Sequence, residues 1–255
     1  MTIVAKFGGT SMATSDSIKK VARILQANPE RRIAVVSAPG KLPGCLKMTD
    51  LLIHNHIQAC MERISLLVND LGLGLSALHV VMAKFSDLQA HQTDAARISF
   101  GEWLSAYLLS QVMRWEFIDA CDVIFFENNQ VRVEIPWSAK TYVVIPGFYG
   151  YDVQTQSIKT FPRGGSDITA SLIAERIGAK LCENWTDVSG VFDRDPNRYQ
   201  NAEPYSRMSY QQLLNITHGG AQVFHPEAIA PLQRAQIPLN IMSTFDPLRS
   251  GTFVQ

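Results

Sequence analysis

Ile3-Val4-Ala5-Lys6-Phe7-Gly8-Gly9-Thr10-Ser11 opens a stretch that decides the fold. Its first five residues form an apolar β-type run that stops at paired glycines. From about residue 15 to 27 the pattern turns helical, with Ile18, Val21, Ala22, Ile24 and Leu25 on one face. A second apolar run, Ile33-Ala34-Val35-Val36, ends at Ser37-Ala38-Pro39-Gly40. Strand, helix and strand within 36 residues predict a βαβ unit, hence a parallel sheet.

Beyond this unit the periodicity is mostly helical over 50–112, with a break near Gly72-Leu73-Gly74. Short strands are predicted at 123–126, 131–135 and 142–145. The last of these runs into Gly147-Phe148-Tyr149-Gly150, and a hairpin follows to about 161. The βα rhythm then resumes, with a helix over 166–177, a strand over 180–185, a helix over 222–235 and a strand over 238–242. No repeat or linker interrupts it. The pattern predicts one α/β sandwich with two functional halves.

Composition narrows the function. The 255 residues are 46% apolar and 18% charged, as in an ordinary globular protein. Lys plus Arg (23) equals Asp plus Glu (23), so no net field favours nucleic acid or an anionic membrane. Any phosphate must be gripped locally. Cys45, Cys60, Cys121 and Cys182 are scattered without a CxxC pair, which predicts reduced thiols in a cytoplasmic protein and no metal site built on cysteine. The N-terminal apolar run is too short for a signal peptide and is interrupted by Lys6. No run approaches the ~20 apolar residues that span a bilayer.

Three glycine clusters stand where strands end: Gly8-Gly9-Thr10-Ser11, Pro39-Gly40 and Gly164-Gly165-Ser166. Open parallel sheets bind ligands beyond the carboxyl ends of their strands. Glycine there lets backbone N–H groups approach phosphate oxygens, and the third cluster opens a helix whose N-terminus favours an anion. Charged neighbours accompany them: Lys6 lies two residues before Gly8, Arg163 precedes Gly164, and Asp167 follows Ser166. No GxxxxGK[ST] or strand-following GxGxxG is present, so neither a P-loop NTPase nor a Rossmann dehydrogenase is indicated.

The chain resembles aspartokinases, within the amino-acid kinase family, in eight blocks in order. They are Lys6–Ser11, Val36–Lys41, Lys47–Leu52, Phe100-Gly101-Glu102, Pro146-Gly147-Phe148, Arg163–Asp167, Trp185–Val191 and Val223-Phe224-His225-Pro226. The resemblance implies a three-layer αβα sandwich with an eight-stranded, mostly parallel central sheet, a carbamate kinase-like fold. Residues 1–160 would bind the amino acid and 161–255 the nucleotide. It implies transfer of a phosphoryl group from ATP, with Mg2+, to the side-chain carboxylate of L-aspartate or a close analogue. A homodimer is implied as well.

The resemblance also assigns residues. Lys6 would offset the repulsion between two anions and stabilise the transferring group, with Asp167 holding it in register. Arg163 would grip a substrate carboxylate and Glu102 the α-ammonium, a pair that selects a free amino acid. Ser37, Thr49, Phe148, Gly164 and Ser166 would complete the substrate site. Gly8, Gly9, Thr10, Ser11, Thr186, Asp187, Phe192, Asp195, Pro196 and Gln222 would face the nucleotide. No protein ligand for magnesium is implied. His225-Pro226 reads as a packing or helix-start element.

The chain departs from the common pattern at Gln222, where a Lys is frequent, and at Ser189, Phe192 and Asn197. It ends at Gln255, where most relatives continue into ACT-type regulatory domains, so catalysis insensitive to lysine and threonine is expected. Two alternatives stay open: a paralogue acting on another amino-acid carboxylate, and a protein that binds amino acid or nucleotide without turnover.

Overall fold

A computed structural model describes all residues except Gln92, Arg163, 195–198, Gln200 and 219–222. Strand β1 (Ile3–Phe7) is buried along its whole length, as a strand covered on both faces must be. Helix α1 (Ser15–Gln26) starts at a capping box in which Thr14 and Ser17 exchange hydrogen bonds. Its buried residues include Ile18, Val21, Ala22, Ile24 and Leu25, the face seen in the sequence. Ile18, Val21, Ile24 and Leu25 each contribute roughly 1.5–3 kcal/mol on full burial. The chain returns as β2 (Arg31–Val36), parallel to β1, which completes the expected βαβ unit.

Four helices follow: α2 (Met48–Ile53), α3 (Ile57–Asp70), α4 (Gly74–His91) and α5 (Asp94–Met113). Next come β3 (Glu116–Phe117), β4 (Ile124–Glu127), β5 (Gln130–Val133), β6 (Val143–Pro146), β7 (Tyr149–Asp152) and β8 (Ser157–Thr160). The last third holds α6 (Gly165–Ile177), β9 (Leu181–Thr186), β10 (Arg207–Met208), α7 (Tyr210–His218), α8 (Pro226–Arg234), β11 (Leu239–Ser243) and β12 (Thr252–Val254).

The main sheet has eight strands in the order β10-β12-β11-β9-β1-β2-β6-β3. Among the described residues only the β11–β12 pairing is antiparallel. Two apolar clusters cover its faces. Ala5, Phe7, Val36 and Trp185 pack with α1 to α5, whereas Val4, Val35, Cys182 and Ile241 pack with α6 to α8. The three-layer sandwich is thus the observed architecture.

Three features differ from the sequence expectation. The segment 123–161 supplies only β6 to the main sheet; β5-β4-β7-β8 form a separate four-stranded sheet. The helix expected over 222–235 begins at Pro226, with His225 as its N-cap. Proline lacks the donor that a helix interior needs but fits its first turn, so it sets the boundary. Helix α7 and strands β3, β10 and β12 are short, and their periodicity is too brief to read in sequence.

Candidate active site

The site grows from the carboxyl ends of the central strands. Beyond each strand the ladder runs on by one bond: Gly8 N–H donates to Trp185 O, Ser37 N–H to Phe7 O, and Gly147 N–H to Val36 O, at 2.9–3.1 Å. Thr244 N–H donates to Thr186 O at 2.9 Å. The glycine turns therefore leave the sheet side by side. Gly40 N–H donates to Gly9 O at 2.8 Å, and a Cβ on Gly40 would lie 2.5 Å from the Gly9 carbonyl carbon. Only glycine permits that approach.

Lys6 breaks the apolar pattern of its strand face. Its register partners are Val35 on β2 and Asn184 on β9, and the residue is only 8% exposed. A buried ammonium requires a partner. Helix α6 supplies it: Asp167 Oδ1 sits 2.6 Å from Lys6 Nζ, and Asp167 is also 8% exposed. Asp167 Oδ2 accepts the backbone N–H of His225 at 3.1 Å. The ammonium stays close to the first turn, 3.9 Å from where a Gly8 Cβ would stand.

The start of α6 is clamped. Gly164 has φ +83°, and a Cβ there would strike the His225 imidazole at 2.3 Å. Gly147 faces the other side, where a Cβ would meet Ser166 Cβ at 2.6 Å. Phe148 between these walls holds φ +78°, a left-handed conformation costly for an aromatic residue. Its N–H is held by Thr169 Oγ1 at 3.1 Å.

Glu102 comes from the opposite layer. Gly101 lets α5 press onto the turn after β2, since a Cβ there would lie 2.6 Å from Ala38 Cβ. The Glu102 carboxylate is buried, and its Oε2 has no hydrogen-bond partner. Burial pushes its pKa up to about 8, although the Ala38 N–H and Lys47 pull the other way. Arg97, a conceivable counter-ion, pairs instead with Asp94. Glu102 is therefore a desolvated acid awaiting a cation.

The other expected residues fall into two groups. Ser37, Thr10 and Ser11 lie in the turns after β2 and β1, and Thr49 in the first turn of α2, whose Met48 N–H donates to Pro39 O at 2.9 Å. Ser11 Oγ shares a 2.7 Å hydrogen bond with Thr244 Oγ1, linking β1 to the end of β11. Thr186 ends β9 and bonds to the exposed Asp187, while Phe192 bridges to Pro204 away from any strand. Arg163, Asp195, Pro196 and Gln222 lie outside the described residues.

Sequence reasoning did not single out Asn184 or Thr169. Asn184 is 2% exposed, donates to Val223 O at 3.0 Å and has an unpartnered Oδ1. Its signal was a polar residue amid a buried strand.

This arrangement of sheet order and strand-end turns coincides with a known family. The chain matches the Amino acid kinase family over residues 1–243. It belongs to that family. Among family relatives it is similar to aspartokinase 3 of Bacillus subtilis, at 33% identity over 98% of this chain and 63% of the relative. The crystal structure of Clostridium acetobutylicum aspartate kinase superposes with a TM-score of 0.87 at 34% identity, covering 99% of this chain and 62% of that one. Escherichia coli aspartokinase III in complex with aspartate and ADP shares the fold, with a TM-score of 0.80 at 23% identity over 100% of this chain and 64% of that one. This family member thus spans about three-fifths of the length of the aspartokinases it matches. Among its described residues no helix is long and apolar enough to cross a membrane.

Proposed function

We propose that this chain transfers the γ-phosphoryl group of ATP to the side-chain carboxylate of L-aspartate, giving 4-phospho-L-aspartate and ADP. The observation that carries this reading is the pairing of Lys6 Nζ with Asp167 at 2.6 Å beside the Gly8 turn, a charge set into an otherwise apolar buried strand. Similarity to aspartate kinases over nearly the whole chain supports it.

The chemistry asks little of the protein in covalent terms. One carboxylate oxygen forms a bond to the γ-phosphorus, the bond from that phosphorus to the β–γ bridging oxygen breaks, and ADP leaves. The carboxylate is already ionised, so no general base is needed. What is needed is positive charge between two anions and in-line positioning. Lys6 is poised for the first task, with Asp167 holding its ammonium and the Asp167–His225 bond bracing that acid.

Glu102 would receive the α-ammonium, which accounts for its buried and unpartnered Oε2. Arg163, by its position before Gly164, would take the α-carboxylate; Ser37, Thr49, Phe148, Gly164 and Ser166 would line the substrate. Residues 1–160 then form the amino-acid half and 161–255 the nucleotide half. Gly8, Gly9, Thr10, Ser11, Thr186, Asp187, Phe192, Asp195, Pro196 and Gln222 would face the nucleotide. Among the described residues no three His, Cys, Asp or Glu side chains come together to hold a metal. Magnesium would ride on the nucleotide phosphates, as ATP chemistry implies, neutralising charge there.

A cytoplasmic homodimer fits this reading; sedimentation velocity tests the dimer. The activity is tested by hydroxylamine trapping across a panel of amino acids. Aspartyl hydroxamate with aspartate is expected. Hydroxamate with another carboxylic amino acid alone, or none with any, sinks the assignment.

A further inference from the structure

Arg63 stands on the inner face of α3, in line with Cys60, Ile64, Leu67 and Val68, and is 4% exposed. A buried charge normally meets an opposite one. Here no carboxylate among the described residues pairs with it, and burial lowers its pKa while leaving it a cation. Its guanidinium donates instead to three backbone carbonyls. Nη1 reaches Leu46 O at 2.7 Å, and Nη2 reaches Gly40 O and, at 3.4 Å, Ala13 O.

Those carbonyls belong to three separate segments. Ala13 follows the 3-10 turn Gly9–Met12 that succeeds Gly8. Gly40 ends the Ser37–Gly40 turn and is bonded to Gly9. Leu46 lies three residues before Thr49, and Met48 is tied back to Pro39. A rigid planar fork is suited to fixing several acceptors at once, and a flexible ammonium is not.

We propose that Arg63 is the positioning residue of the amino-acid half. It draws the Ala13, Gly40 and Leu46 carbonyls to one point and so sets the spacing between the first glycine turn, the Ser37–Gly40 turn and Thr49. Its effect on the reaction rests on the aspartate kinase reading above; its effect on the three segments does not.

The test uses the full chain with Arg63→Met, which keeps length and apolar burial, and Arg63→Lys, which keeps charge without the fork. Hydrogen exchange is read over 37–49 and over 165–177, and the KM for aspartate and for ATP is measured. In Arg63→Met, exchange over 37–49 speeds up by about tenfold or more while 165–177 is unchanged, as loss of hydrogen bonds to a charged group requires. The aspartate KM rises by about tenfold or more and the ATP KM stays within about twofold. Arg63→Lys moves the same quantities less, and it decides the matter if Arg63→Met does not fold. Unchanged exchange over 37–49, or equal losses in both segments and both KM values, overturns the proposal. Wild-type protein without aspartate turnover would instead defeat the kinase reading, with the exchange arm still deciding the role of Arg63.

Discussion

The buried Glu102 carboxyl should make amino-acid binding release a proton. In the free protein burial pushes this group up to about 8 from an ordinary 4.5, so at pH 7 it is mostly protonated. An ammonium docking against it favours the charged form, so the proton must leave as the substrate arrives. With a pKa near 8, the ionised fraction is about 1% at pH 6 and about 50% at pH 8, and apparent affinity should rise about fiftyfold between them. The substrate ammonium keeps its proton across this window. Isothermal titration of aspartate in two buffers of different ionisation enthalpy should report release of about 0.9 proton per site at pH 7. Glu102→Gln should abolish both the proton release and the pH dependence.

Stability carries the opposite sign. A raised folded-state pKa means that the contribution of Glu102 is fully present below 4.5 and is lost as pH rises through 8. The free Glu102→Gln protein should therefore outlast wild type in heat at pH 9. An aspartate affinity that is flat from pH 6 to 8, with no proton released, would refute the role given to this acid.

Three further outcomes are expected. Gly164→Ala places a side chain at φ +83° and against the His225 ring, so it should cost about 1–3 kcal/mol in urea unfolding and reduce turnover by shifting the start of α6. Arg31→Ala leaves Glu183, which is 3% exposed and held by Arg31 through two bonds of 2.8 and 3.1 Å, without its counter-ion and with the Trp185 indole N–H as its remaining donor. A loss of about 3 kcal/mol should appear in unfolding, with little change in the KM values, because the pair lies near the amino end of the sheet. Thr169→Val removes the hydroxyl that holds the Phe148 N–H, and should lower stability by about 1–2 kcal/mol while raising the aspartate KM. An unchanged KM there would separate Phe148 from substrate binding.

The sandwich was readable because its βαβ units carry periodicities that differ plainly between strand and helix. The buried face of α1 and the break between α3 and α4 at Gly72–Gly74 both appear in the residue pattern. Lys6 was legible as a charge inside an apolar strand next to glycines. Its partner was less so, since Asp167 meets it across more than 150 residues and only the fold joins them. The second sheet was hidden because strands of four residues do not say which neighbours they choose. Arg63 was overlooked for a different reason: a cation on an apolar helix face reads as a solvated edge until the carbonyls beneath it are known. Gly101 and Gly147 act through close approach, which has no local sequence signature beyond the glycine itself.

In the proposed reaction the Lys6 ammonium lets an anionic side chain attack a polyanionic nucleotide. Single-turnover transfer from γ-labelled ATP to bound aspartate, compared between wild type and Lys6→Met, tests it most directly. Label should pass to an acyl phosphate in wild type and slow on the order of a hundredfold or more in the variant, with ATP affinity changed only a few-fold. Transfer at the wild-type rate from folded Lys6→Met protein would contradict it.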